Sequence, residues 1–183
     1  MSKSNDFLPQ GAELVDPVTD KDHSIGPADA PVTIVEYGDY ECPSCLNAFP
    51  VIEEVRQKLG DQLRFVFRHF PRSSIHPHAS AAAEAAEAAG DQGAFWKMHA
   101  ELFRHQKELA DIDFSHLALQ LGLEIYGFET SRSREKHRQR VQNDFESGVR
   151  SDVKKTPTLF INGRRYDGPV EAKAIIAAAR AAV

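Results

Sequence analysis

VTIVEYGDYECPSC, residues 32–45, contains both cysteines of a 183-residue chain and joins two kinds of local structure. Val32-Thr33-Ile34-Val35-Glu36-Tyr37 is short, apolar and rich in β-branched residues, and Gly38-Asp39 follows it. That is a buried strand running into a loop. From Pro43 the pattern turns helical: Leu46, Phe49, Ile52, Val55 and Leu59 recur at intervals of three and four until Gly60-Asp61. Leu63 to Phe70 then alternates as a strand and stops at Pro71. Strand, helix, strand with a crossover of this length predicts a parallel pair.

The rest of the chain extends this unit. Residues 1–30 are polar and proline-bearing and read as an N-terminal arm with one short strand. Residues 31–75 form the βαβ half. Residues 76–152 read as a helical insert, with helices over Ala79–Ala89, from Phe95 to Phe103, over Phe114–Leu121 and over Thr130–Val149. Residues 153–183 return to strand: Thr158–Ile161, an Asn162-Gly163 turn, and Arg164–Tyr166. Asn-Gly between such runs is a strong hairpin signal. An Ala-rich helix from Val170 to Val183 closes the chain. The expected class is α/β, one sheet with helices on its faces.

Composition narrows the function. A net charge of -5 argues against a general nucleic-acid binder, which needs a positive surface. The basic run Arg132–Arg140 therefore reads as a solvated helix face. No apolar run approaches the ~18 residues of a spanning helix, so membrane insertion is not expected. MSKSNDFLPQGAELVDP lacks the apolar core of a signal peptide. A cytoplasmic location is expected for the chain as written, and an extracytoplasmic one if a leader has been removed. No glycine-rich phosphate loop is present, so no nucleotide cofactor is indicated.

The two cysteines carry the chemistry. Cys42 stands where loop becomes helix, beside backbone N–H groups that lack internal partners and at the positive end of the helix dipole. A thiolate there is stabilised, so its pKa falls. Pro43 suits the first helical turn. Cys45 lies one turn further along the same side and is placed to resolve a mixed disulfide formed at Cys42. Cys42 is expected to be exposed in its polar loop. A zinc site completed by His76 and His78 is the competing reading, but zinc ligands sit on knuckles and short loops, not on the opening turn of a long helix. No metal is expected. A purely structural disulfide closing so short a loop would constrain the unfolded chain little.

Taken together, VTIVEYGDYECPSC at 32–45, FRHFP at 67–71 and TPTLFINGRRYDG at 156–168 resemble the DsbA-type thiol-disulfide oxidoreductases. The resemblance covers residues 24 to 183 and implies a thioredoxin fold with an inserted helical subdomain. It implies that Cys42 is the nucleophile, Cys45 the resolving cysteine and Glu36 the group that moves the proton. It places Thr156-Pro157 in a cis-proline loop that aligns substrate, with Pro43 and Ser44 beside it. Glu36 points to solvent by simple alternation, or is buried if its strand is central and covered on both faces; burial is the expectation here. Its pKa should then rise toward neutrality.

The implied activity is exchange of a Cys42–Cys45 dithiol or disulfide with protein or peptide thiols, with no cofactor beyond those two sulfurs. A small thiol such as glutathione is an alternative partner, which would make the chain a cytoplasmic reductase or isomerase. A non-enzymatic peptide-binding holdase is a further alternative. Two departures from the family pattern stand out. Ser44 occupies the place where strong oxidants carry histidine, so a less oxidising couple is expected. Lys154-Lys155 stand where relatives often have a small residue and glycine; they either add positive potential at the thiolate or are exposed and inert.

Overall fold

The computed structural model describes residues 12–183. Five strands make one sheet: β1 (His23–Ile25), β2 (Val32–Gly38), β3 (Leu63–His69), β4 (Thr158–Ile161) and β5 (Arg164–Tyr166). Their order is β1-β3-β2-β4-β5. Strands β2 and β3 run parallel, joined by helix α1 (Pro43–Leu59), while β4 lies antiparallel to β2 on its other side. This puts β2 at the centre of the sheet. The hairpin between β4 and β5 turns at Asn162 (φ 47°) and Gly163 (φ 81°). A two-residue turn with both φ positive matches the twist of the flanking strands, which is why Asn-Gly is found there.

Six further helices follow: α2 (Ala79–Gly90), α3 (Phe95–Arg104), α4 (Phe114–Gln120), α5 (Ile125–Arg132), α6 (Glu135–Arg150) and α7 (Ala172–Ala181). The expected single helix over Thr130–Val149 is two helices. The chain turns at Ser133-Arg134, where Arg134 is extended. That turn brings Ser131, Lys136 and His137 together on Asp91 at the end of α2. A tertiary anchor thus overrides a sequence that favours continuous helix.

Both faces of the sheet are covered. On one, Ile34, Phe65 and Phe67 pack with Ile52, Val55, Met98 and Ile175 in the main core. Helix α2 is sunk into this core, and its alanines 82, 83, 85, 86, 88 and 89 are all buried there. Only small side chains let neighbours approach a helix on nearly every side. On the other face, Val35, Tyr37, Val66 and Phe160 meet Leu14, Val18 and Phe145. The arm is therefore a packed part of the domain from residue 12 onward. Arg68 fastens it: its guanidinium donates to the Asp22 carboxylate, to the Asp16 and Pro17 carbonyls and to Tyr37 Oη.

Four of the cations in the basic run have local partners. Arg132 lies over the Phe114 ring, Lys136 pairs with Asp91, Arg138 with Glu135, and Arg140 with Asp144. Phe95 and Trp96 belong to the core around His99.

Candidate active site

The chain leaves β2 at Gly38 and reaches α1 through Asp39-Tyr40-Glu41. Cys42 caps the helix in an extended conformation, and Pro43 follows at its first position. The Cys45 and Leu46 amides both donate to the Cys42 carbonyl. Both cysteines are free thiols. Cys45 is fully buried, whereas Pro43 and Ser44 face outward.

Cys42 is not exposed as its sequence context predicts: only 6 % of its surface is accessible. The cover comes from distant segments. Its Sγ lies 3.4 Å from the Thr156 carbonyl, in a loop where the Thr156–Pro157 peptide is cis. On the other side Gln106, in a short 3-10 turn after α3, donates from Nε2 to the Tyr40 and Cys42 carbonyls, both at 2.9 Å. Nothing in the sequence marked Gln106, because its partners are backbone atoms far away along the chain.

The two thiols are electrostatically unequal. The Cys42 pKa is lowered from 9.0 to about 5. The largest cause is a hydrogen bond from the Cys45 thiol; burial opposes it, and Thr156 and the Cys45 and Ser44 amides add to it. The Thr156 hydroxyl is buried without a partner in the dithiol state, so a thiolate at Cys42 would give it an acceptor. The Cys45 pKa is pushed well up by burial, then by the hydrogen bond to Cys42 and by the nearby Glu36 charge. The two thiols therefore differ in how readily they ionise, and Cys42 is the one that carries thiolate near neutrality.

Glu36 lies beneath the pair, 3 % exposed, on the main-core face of β2. Burial, and then the negative charge at Cys42, raise its pKa to about 8. Gly38 is required beside it. A Cβ there would sit 2.4 Å from Phe67 Cε2 and 3.2 Å from Glu36 Oε1.

Neither lysine of the proline loop is among the groups that lower the Cys42 pKa. Both are exposed, and Lys154 is held by Asp152 at 2.6 Å. The ring Nδ1 atoms of His76 and His78 bond to the Asp39 and Glu41 carboxylates. His69 is buried and bonded to Glu87 in α2.

The thioredoxin family model matches residues 18–179. Among solved structures, BdbD from Bacillus subtilis superposes with a TM-score of 0.80 at 22 % identity, covering 94 % of this chain and 98 % of that one. The alpha-DsbA1 of Wolbachia pipientis gives 0.78 at 20 % identity, covering 92 % of this chain and 93 % of its own. MdbA, a thiol-disulfide oxidoreductase from Corynebacterium diphtheriae, gives 0.70 at 18 %, covering 95 % and 94 %. Higher identity is found elsewhere. A protein of Salinispora arenicola named Na(+)/H(+) antiporter NhaA 1 is 45 % identical over 168 residues, 92 % of this chain but 25 % of that protein. A protein of Mycolicibacterium vanbaalenii with the same name is 45 % identical over 178 residues, 94 % of this chain and 28 % of that one. The chain thus spans about a quarter of the length of these curated relatives. From the extent of the family match and the strand-to-helix turn that carries the cysteines, the chain belongs to the thioredoxin family, with the helical insert of the DsbA-type fold.

Proposed function

We propose that this chain is a thiol-disulfide oxidoreductase that exchanges electrons between Cys42–Cys45 and the cysteines of a protein or peptide. The unequal pair of thiols carries the reading. In the reducing direction the Cys42 thiolate attacks a substrate disulfide, forms a mixed disulfide and releases one substrate thiolate. In the mixed disulfide the Cys42 charge that helps raise the Glu36 pKa is gone, so Glu36 ionises more readily and takes the Cys45 proton; Cys45 attacks Cys42 Sγ, closing the Cys42–Cys45 disulfide and releasing the second substrate thiolate. The oxidising direction runs the same bonds in reverse. The two electrons pass between Cys42–Cys45 and the substrate's two sulfurs, so no further cofactor is called for.

A thiolate pKa of about 5 falls between the values near 7 and about 3.5 that accompany reducing and strongly oxidising members of this superfamily. A stabilised thiolate favours the reduced protein and makes its disulfide an oxidant. An intermediate couple follows, between about −270 and −120 mV. Substrate is expected to run past Pro157, which also borders a cleft of about 270 Å³ lined by Lys155, Leu159 and Tyr166 but not by the cysteines. A small thiol such as glutathione is the alternative partner to a protein.

Insulin reduction and oxidative refolding of a reduced protein test the proposal. Cys42→Ser should abolish both. Retention of either activity contradicts the redox reading, and protection of unfolded clients that survives the substitution favours a holdase.

The names of the relatives favour a second, narrower reading. In proteins named for sodium–proton antiport, a segment 43–45 % identical to this chain forms part of the polypeptide. The partner thiols would then lie on a cation–proton transporter. Cys45→Ala should trap such a partner as a stable mixed disulfide at Cys42. Traps that hold only soluble proteins speak against it.

A further inference from the structure

The exchange chemistry leaves unused the acidic residues on either side of Tyr40 and the two histidines of His76-Pro77-His78. They meet as two rungs of a ladder. Asp39 Oδ2 accepts from His76 Nδ1 at 2.8 Å, and Glu41 Oε1 from His78 Nδ1 at 2.8 Å. An ionised carboxylate only accepts, so each ring donates from Nδ1. Each pair is spaced two residues apart, so the loop before Cys42 and the loop that enters α2 fit side by side.

The rungs are unequal. Glu41 and His78 are 20 % and 38 % exposed at their side chains, and water weakens such a pair. The Asp39 side chain is fully buried and that of His76 is 15 % exposed. The Arg72 amide also donates to Asp39 Oδ2 and the Glu41 amide to Oδ1, both at 2.8 Å. A buried carboxylate with three donors is held firmly, and loss of one donor leaves acceptor capacity unmet.

The main chain of Asp39 touches the first cysteine. Its carbonyl accepts from the Cys42 amide at 3.1 Å. Fixing the Asp39 side chain therefore fixes the peptide unit that meets Cys42 at the start of α1.

We propose that Asp39 and His76 are a positioning pair that holds residues 39–42 in the geometry that stabilises the Cys42 thiolate. Neither side chain touches a reacting atom. The inference deepens the thiol-disulfide reading and rests on it.

The test compares reduced wild type with His76→Leu, His76→Asn and His76→Gln. The readouts are thiolate absorbance against pH, equilibrium with a glutathione buffer, and thermal melting. His76→Leu should raise the Cys42 pKa by about half a unit to one unit and move the glutathione equilibrium about three- to tenfold toward the disulfide. Asn places its amide nitrogen where Nδ1 stood and should restore the wild-type titration. Gln places it near the Nε2 position and should not. Lower melting temperatures for Leu and Gln with an unmoved thiolate titration would assign His76 a structural role alone and overturn the proposal. If the Leu variant does not fold, the Asn and Gln pair decides: equal titrations overturn it, unequal ones support it. Failure of the redox reading looks different, because wild type would then exchange with no thiol while its thiolate titration still responded to His76.

Discussion

Two carboxylates buried against the same sheet behave in opposite ways. Glu36, on β2, lies beneath the dithiol, and among the described residues no cation is paired with it. Its pKa climbs to about 8. Glu87, on α2, accepts from His23 and His69, both at 2.8 Å, and its carboxyl is held far below the usual range despite its burial. On the opposite face Asp22 is similarly matched by Arg68, and its pKa also falls. Burial alone therefore does not set the role of a charge. A paired carboxylate ties elements together; one left alone is poised to take up and release a proton near neutrality.

Substitutions can break this contrast. Arg68→Met removes the main partner of the Asp22 carboxylate, leaving it the Thr19 amide and Arg140 at 3.8 Å, and empties the clamp on the arm. Urea unfolding should show a loss of about 3–5 kcal/mol, with activity per folded molecule unchanged. Loss of activity in step with folded protein would leave the contrast intact; loss beyond it would tie the arm to the dithiol.

Glu36→Gln should do the reverse. The folded protein keeps this proton up to about pH 8, whereas the unfolded chain releases it near the ordinary value of 4.5. Wild-type stability therefore falls as pH rises between those two values, and the neutral amide escapes the loss. The variant should gain on wild type across that window, by up to about 3 kcal/mol near neutrality. Resolution of a mixed disulfide should slow by about 10²-fold. A variant less stable than wild type near neutrality would show that Glu36 is structural after all.

Glu87→Gln should cost about 1–2 kcal/mol near neutrality. The Glu87 carboxyl is depressed, so its contribution is present above the unfolded value of 4.5 and is lost as pH falls below it. The gap between variant and wild type should narrow in acid. Denaturation profiles at several pH values measure it.

The sequence shows what is local and hides what is brought from afar. Cys42, Cys45, the strand that carries Glu36 and the Asn162-Gly163 hairpin are visible because spacing and turn chemistry encode them within a few residues. The cover over Cys42 is not, because the Thr156 carbonyl arrives from 114 residues away and Gln106 from 64. The break at Ser133-Arg134 is hidden for a similar reason. Local composition favours helix throughout, and Asp91 across the insert decides where the chain turns. His76 and His78 are conspicuous in the sequence, yet their partners lie 37 residues upstream, and only the folded chain shows that they face carboxylates.

The inequality of the two thiols is tested most directly by titrating reduced protein with an alkylating agent across pH and locating the modified cysteine. The rate at Cys42 should rise with a midpoint near pH 5 while Cys45 stays unmodified. Cys45→Ala, which removes the largest source of the lowering, should move that midpoint upward. A Cys42 midpoint near the ordinary thiol value of 9.0, unmoved by Cys45→Ala, would contradict it.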